Sequence, residues 1–170
     1  MKNSNYYKIT IFLLYNYVGG NMKIRIVDYN EIDKIYPLYI LGYNYHNIGA
    51  PDYFPYSTEE QLKNNLEFNM HCYNKIYLLI ELRNIPIGYA CISFKTTNVK
   101  SLWINELYIK EEYQKQGYGK KIMNEIESLA YQNDCKKVEL NCWSFNSNAY
   151  EFYKHIGFIN QRVVLEKELL

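Results

Sequence analysis

The stretch Glu106-Leu107-Tyr108-Ile109-Lys110-Glu111-Glu112-Tyr113-Gln114-Lys115-Gln116-Gly117-Tyr118-Gly119-Lys120-Lys121 decides the fold, because it reads as a strand, a turn and the start of a helix. Trp103, Ile104, Leu107, Tyr108 and Ile109 are the β-branched, aromatic and aliphatic types of a buried strand. Ile122, Ile126 and Leu129, with Met123 and Ala130, recur at helical spacing. Gly117 and Gly119 fall where one pattern becomes the other. The first N–H groups of a helix lack intrahelical partners and carry the positive end of its dipole, so an anion fits there. The glycines keep side chains away from a bulky diphosphate and allow φ > 0, and Lys115, Lys120 and Lys121 add positive charge. A bare G-x-G suits a plain tight turn equally well, so the rest of the chain must decide.

Two nucleotide motifs fail here. No glycine begins the phosphate-loop pattern G-x-x-x-x-G-K-[ST], and the dinucleotide pattern G-x-G-x-x-G meets Ile122 where its third glycine belongs. What remains is Gln114-x-x-Gly117-x-Gly119 after a strand.

With 170 residues the chain suits one domain with a real core. A net charge of +1 gives no electrostatic case for nucleic acid or a membrane surface. Cys72, Cys91, Cys135 and Cys142 show no C-x-x-C pairing and read as reduced thiols of a cytoplasmic protein. His46, His71 and His155 have no ligand spacing; no metal site is expected, and each reads as an ordinary surface or helix-end residue. With twenty tyrosines in the chain, any single one carries little weight.

Residues 1–21 differ from the rest. Lys2 and Lys8 precede an apolar run from Ile9 to Val18 that imitates a signal peptide, yet it is interrupted by Asn16 and lacks a small-x-small cleavage site. It is also too short to span a bilayer, which takes roughly 20 apolar residues. Met22-Lys23-Ile24-Arg25-Ile26-Val27 is a natural first strand, so Met22 is the true start or 1–21 is a loosely attached extension of a single domain over 22–170.

A helix is expected from Glu31 to Tyr45, bent or restarted at Pro37, then an ordered loop from Asn47 to Tyr56. A capping box Ser57-x-x-Glu60 starts a helix to about Cys72. Ile76–Leu82 and Ile85–Phe94 read as strands joined by a hairpin at Arg83-Asn84. The strand 101–110, the helix opened by the glycines, and a strand from Lys137 to Trp143 follow. A helix from Asn146 to Ile156, stopped by Gly157 at its C′ position, leads to one or two closing strands within Phe158–Lys167. The order βααβββαβαβ makes an α+β fold: a central mixed, mostly antiparallel sheet with helices on both faces.

A second motif agrees with the first. In Asn146-x-x-Ala149-x-x-Phe152-Tyr153-x-x-x-Gly157-Phe158, Asn146 is a good N-cap, and Ala149 and Tyr153 share a helix face. Alone, it would suit a capped amphipathic helix packing its aromatics into a core. Together and in this order, the two segments resemble the acetyl-CoA pyrophosphate loop and the following Asn-to-Gly-Phe segment of the GNAT superfamily of N-acetyltransferases, over about residues 22–168.

The resemblance implies acetyl-CoA as co-substrate, a primary amine on a small molecule or a protein as acceptor and, by family habit, a homodimer. Gln114, Lys115, Gln116, Gly117, Tyr118, Gly119 and Lys120 would surround the pyrophosphate, chiefly through backbone N–H groups. The strand Leu107-Tyr108-Ile109 would meet the pantetheine arm, with Leu107 and Ile109 hydrogen-bonding it as an extra strand would. Asn146 would contact the arm, and Tyr153 would stand near the thioester sulfur. Gln116 occupies a position often basic in the family.

An alkyl ammonium has a pKa of about 10.4, so acetylation needs a base. Glu106 resembles the family's strand carboxylate and lies on the face opposite Leu107 and Ile109; it also suits a structural carboxylate paired with a lysine. Tyr153 is the candidate acid for the leaving thiolate. Tyr36, Tyr39, Tyr43, Tyr45, Tyr53, Phe54 and Tyr56, with Asp52, would form an aromatic, slightly acidic acceptor wall suited to a cationic amine. The alternative from another class is a non-catalytic acyl-CoA sensor or interaction module in which Glu106 and Tyr153 merely pack.

Overall fold

The computed structural model describes residues 16–18, 21–72 and 74–169. Six strands form one sheet in the order β1 (Asn16–Val18), β2 (Met22–Ile26), β3 (Ile76–Leu82), β4 (Ile85–Thr96), β5 (Lys100–Ile109) and β6 (Lys137–Leu140). Every neighbouring pair is antiparallel except β5 with β6. Four α-helices accompany them: α1 (Ile32–Gly49), α2 (Glu59–Met70), α3 (Tyr118–Gln132) and α4 (Ser147–His155). None of the described helices is long and apolar enough to cross a membrane.

The two-residue period of the strands divides the core into two layers. On one face, Leu78, Ile80, Ala90, Ile92, Leu102 and Ile104 pack against Ile122, Met123, Ile126 and Leu129 of α3. On the other, Tyr77, Leu79, Tyr89 and Cys91 meet Ile35, Leu38 and Tyr39 of α1 and Leu62 and Leu66 of α2. Each fully buried Leu or Ile contributes about 1.5–3 kcal/mol by leaving water. The helices thus cover both faces, as the sequence predicts.

Local signals explain most of the joints. Arg83 and Asn84 have φ of 51° and 63°, the paired positive values of a type I′ hairpin. Gly157, at φ 102°, ends α4: its N–H bonds Lys154 O and that of Phe158 bonds Tyr153 O, the two bonds of a Schellman motif.

Four expectations need correction. Helix α1 runs unbroken through Pro37 and continues to Gly49; Asp33 and Pro37 lie on the exposed face, where water can satisfy the carbonyl that Pro37 leaves free. The capping box is one residue later, at Thr58 and Gln61, while Ser57 Oγ turns to the Pro55 carbonyl and the Tyr43 hydroxyl. Strand β6 stops at Leu140 instead of Trp143. The closing strands do not form: 158–169 carries no regular element, and Val163, Val164 and Leu165 are exposed. That tail is tied by side chains, Tyr150 to Asn160 and the Tyr53 hydroxyl to the Glu166 carboxylate, and finds no ladder partner among the described residues.

Of the proposed N-terminal extension, residues 1–15, 19 and 20 lie outside the described residues. Asn16–Val18 pair with β2 at the sheet edge.

Candidate active site

The site begins with a change of register. Cys91 pairs with Glu106 but Ile92 pairs with Ile104, which leaves Asn105 as an extra residue on β5. Such a bulge bends its strand. On the other side, β6 accompanies β5 only from Ser101 to Ile104. Beyond the bulge β5 therefore keeps β4 and loses β6, and a cleft opens between them, walled by Asn105, Leu107, Cys142 and Tyr153 among others.

The N–H of Lys110 bonds Ile87 O on β4. By strand alternation, Tyr108 and Glu106 also turn their backbone groups toward β4, whereas Leu107 and Ile109 direct theirs into the cleft. Leu107 and the Ile109 N–H thus present a free edge, while the Ile109 carbonyl already accepts from Gln114 Nε2 at 2.8 Å. Tyr108 does not share it: it pairs with Tyr89, and its side chain lies against Gly42 of α1.

The edge leads into the N-terminus of α3. Gly117 is its N-cap at φ 82°, a left-handed conformation costly for any residue with a Cβ, and among the described residues no side chain caps the helix. The N–H groups of Tyr118, Gly119 and Lys120 precede the first intrahelical bond, from Lys121 N to Gly117 O. The two glycines have different reasons. A Cβ at Gly117 would meet nothing within 4 Å, so its need is conformational, whereas one at Gly119 would sit 3.2 Å from the Phe152 ring of α4. Gln116 Nε2 bonds Glu112 O and braces the loop, and Lys115 and Lys120 are exposed beside it.

Asn146 Oδ1 accepts from Ala149 N, as an N-cap does, and from the Tyr45 hydroxyl, both at 3.1 Å. Its amide Nδ2 makes no hydrogen bond within the described residues. Tyr153 packs between Phe152 and Phe158 and lines the cleft, and burial pushes its phenol above the ordinary value.

Glu106 lies on the α1 side of β5. The Tyr89 hydroxyl donates to its Oε2 at 2.8 Å. Burial raises its pKa, opposed by that hydrogen bond and by the charges of Lys75 and His46. Around it, burial first and the Glu106 charge second push up the phenols of Tyr39, Tyr77 and Tyr89, and take the Cys91 thiol up to about 12. Among the described residues the buried Tyr77 hydroxyl has no hydrogen-bond partner. Tyr39 is expected from sequence as a wall residue, but Tyr77 and Tyr89 are not singled out there; the alternation Tyr77-x-Leu79 and Tyr89-x-Cys91 on paired strands is the available signal.

The expected aromatic wall divides. Tyr43, Phe54 and Tyr53 join His46, Trp143 and Phe145 in a run of ring contacts, Phe54 lying 4.9 Å from His46 and Tyr53 4.8 Å from Trp143. Tyr45 touches Phe145 in the same group, and Tyr39 packs inward on Tyr89. Tyr36 instead bonds Glu59 O, and Tyr56 is exposed. Trp143, Phe145 and His46 were missed as wall residues. Among the described residues no cluster of three or more His, Cys, Asp or Glu could hold a metal.

The acetyltransferase (GNAT) family matches residues 37–158, and the chain belongs to that family. A tetramutant of the BH1408 protein from Bacillus halodurans superposes with a TM-score of 0.77 at 20% identity, over 86% of this chain and 99% of that one. Aminoglycoside N-acetyltransferase AAC(6')-Iy in complex with CoA has a TM-score of 0.65 at 13% identity, over 88% and 96%. Ribosomal-protein-alanine N-acetyltransferase from Brucella melitensis biovar Abortus 2308 has a TM-score of 0.68 at 10% identity, over 87% and 99%. A search of curated proteins found no match. At these identities the structures show a common fold.

Proposed function

We propose that this chain transfers acetyl from acetyl-CoA to a primary amine, directly, within a ternary complex. One observation carries the reading: the free edge of β5 at Leu107 and Ile109 runs into the uncapped N-terminus of α3 at Gly117, with Tyr153 across the cleft. The residues fit the co-substrate. Backbone N–H groups from Gln114 to Lys120 would hold the pyrophosphate at the positive helix end, with Lys115 and Lys120 adding charge. Leu107, Ile109 and the Asn146 amide would hold the pantetheine arm.

When bound, acetyl-CoA supplies an acyl group activated as a thioester. Glu106, raised by burial, takes a proton from the acceptor ammonium through water. Tyr153, kept protonated by burial that also makes it a weaker acid, is the donor at the sulfur position. A backbone N–H of the β5 edge is the donor for the carbonyl oxygen. The relatives' names span a small-molecule aminoglycoside and a ribosomal-protein alanine, and the acceptor here is an amine of one of these two kinds. The four free cysteines fit action in the cytoplasm.

The test is thiol release from acetyl-CoA with a panel of alkyl amines, aminoglycosides and peptides bearing a free N-terminus. Glu106→Gln and Tyr153→Phe should keep acetyl-CoA affinity and lose roughly 100-fold in rate. A protein that binds acetyl-CoA yet releases no thiol with any amine is a sensor, and the enzymatic reading falls.

A further inference from the structure

Glu106 is not among the residues that wall the cleft, and its carboxylate is turned to Tyr89, whereas His46, on the last turns of α1, lines the cleft with Asn105, Leu107 and Tyr153. His46 Nδ1 stands 2.9 Å from the carbonyl oxygen of Gly42. A carbonyl can only accept, so Nδ1 carries the hydrogen, and in the neutral ring Nε2 is the unprotonated, basic nitrogen. Contacts hold this orientation. Phe54 and Phe145 flank the ring at 4.9 and 5.8 Å, and Gly49, one turn on, packs so closely on Phe145 that a Cβ there would lie 2.2 Å from it.

We propose that His46 is a second proton acceptor of this site, meeting the acceptor amine in the cleft while Glu106 lies behind it. The inference rests on the acetyltransferase reading. Glu106 takes the ammonium's first proton; on attack the nitrogen becomes positive again, its N–H bond breaks, an Nε2–H bond forms on His46, and the positive charge passes to the imidazolium. The proton then leaves to solvent, and nothing is oxidised or reduced. The titratable and charged groups that face the ring are Glu106 on β5, whose charge His46 feels, Tyr45 on α1, and Cys142 after β6 and Tyr153 on α4, which share its cleft; Tyr39, Tyr89 and Lys75 act on Glu106.

The test compares wild type with His46→Asn, whose side-chain amide can still donate to Gly42 O but offers no base. Thiol release is followed from pH 5 to 9 with saturating acetyl-CoA and whichever primary amine of the panel turns over. The ratio of wild-type to variant kcat/KM should climb from near one at the acid end, where imidazolium cannot accept a proton, to a plateau of roughly 100-fold; added imidazole should restore part of the His46→Ala rate. A pH-independent ratio would make His46 a packing residue and overturn the proposal, leaving the acetyltransferase reading intact. A wild type inactive with every amine would overturn both. Independently of turnover, nitrogen NMR of ring-labelled protein, with His46 assigned by its absence in His46→Asn, should show the Nδ1–H tautomer; the Nε2–H tautomer would contradict the geometry.

Discussion

The hydroxyl of Tyr89 on β4 donates a 2.8 Å hydrogen bond to Glu106 Oε2 on β5, one residue beyond the bulge at Asn105. That bond lowers the Glu106 pKa against the larger effect of burial. Tyr89→Phe should therefore raise the pH at which Glu106 ionises. It should move the acid limb of kcat/KM upward and cost about 1–3 kcal/mol of stability, because a buried acceptor loses its donor. A pH–rate profile and a urea melt check the two effects.

Glu106→Gln should stabilise the fold while removing activity. A carboxyl whose native pKa lies above its ordinary 4.5 contributes stability below that value, and this is lost as pH rises through the native one. At neutral pH the charge is a cost that a neutral amide does not carry. Melting temperatures should favour the variant at pH 7 and converge with wild type near pH 4; a difference constant across that range would contradict the burial of the charge.

Gly117→Ala and Gly119→Ala should fail for different reasons. The first costs about 1–2 kcal/mol from its left-handed backbone, and no repacking can recover it. The second presses on Phe152, so adding Phe152→Leu should restore part of its stability and acetyl-CoA affinity. Calorimetric titration of the two single variants and of each with Phe152→Leu distinguishes strain from crowding.

Acid sensitivity should come partly from the β2–β3 end of the sheet. Arg25 forks onto Glu31 and also meets Glu81, and the guanidinium, with Lys34, holds the Glu31 carboxyl down at about 2. Its stabilisation is present above 4.5 and is lost as pH falls toward 2. Denaturant midpoints at pH 6 and pH 3 should differ less in Glu31→Gln than in wild type. Arg25→Ala should cost about 3 kcal/mol at neutral pH by leaving Glu81 unpaired in a largely buried site.

What the sequence made legible was whatever a few neighbouring residues decide. Gly117 as a left-handed helix entry, Asn146 as an N-cap, Gly157 as a C′ residue and the Arg83-Asn84 hairpin each depend on local backbone chemistry. The capping box falls one residue later because Ser57 and Thr58 are both competent caps, and the Tyr43 hydroxyl and the Pro55 carbonyl take Ser57 away. The bulge at Asn105, which opens the cleft, depends on the register of two distant strands and leaves no local mark. His46 looked ordinary because its helix face is half polar; its meaning comes from Phe145, a hundred residues away. Val163-Val164-Leu165 has strand chemistry, but a strand requires a partner edge, and sequence alone does not provide one.

Binding of acetyl-CoA at the β5 edge and the α3 N-terminus is tested by a thermal shift with acetyl-CoA, CoA, ATP and NAD in turn, each in excess. A ligand at 100 times its dissociation constant adds about 2.7 kcal/mol, roughly 5–10 °C for a chain of this size. That shift should appear with acetyl-CoA and CoA, be lost in Gly117→Ala, and be absent with ATP and NAD. A folded protein whose melting point none of the four moves would contradict that binding.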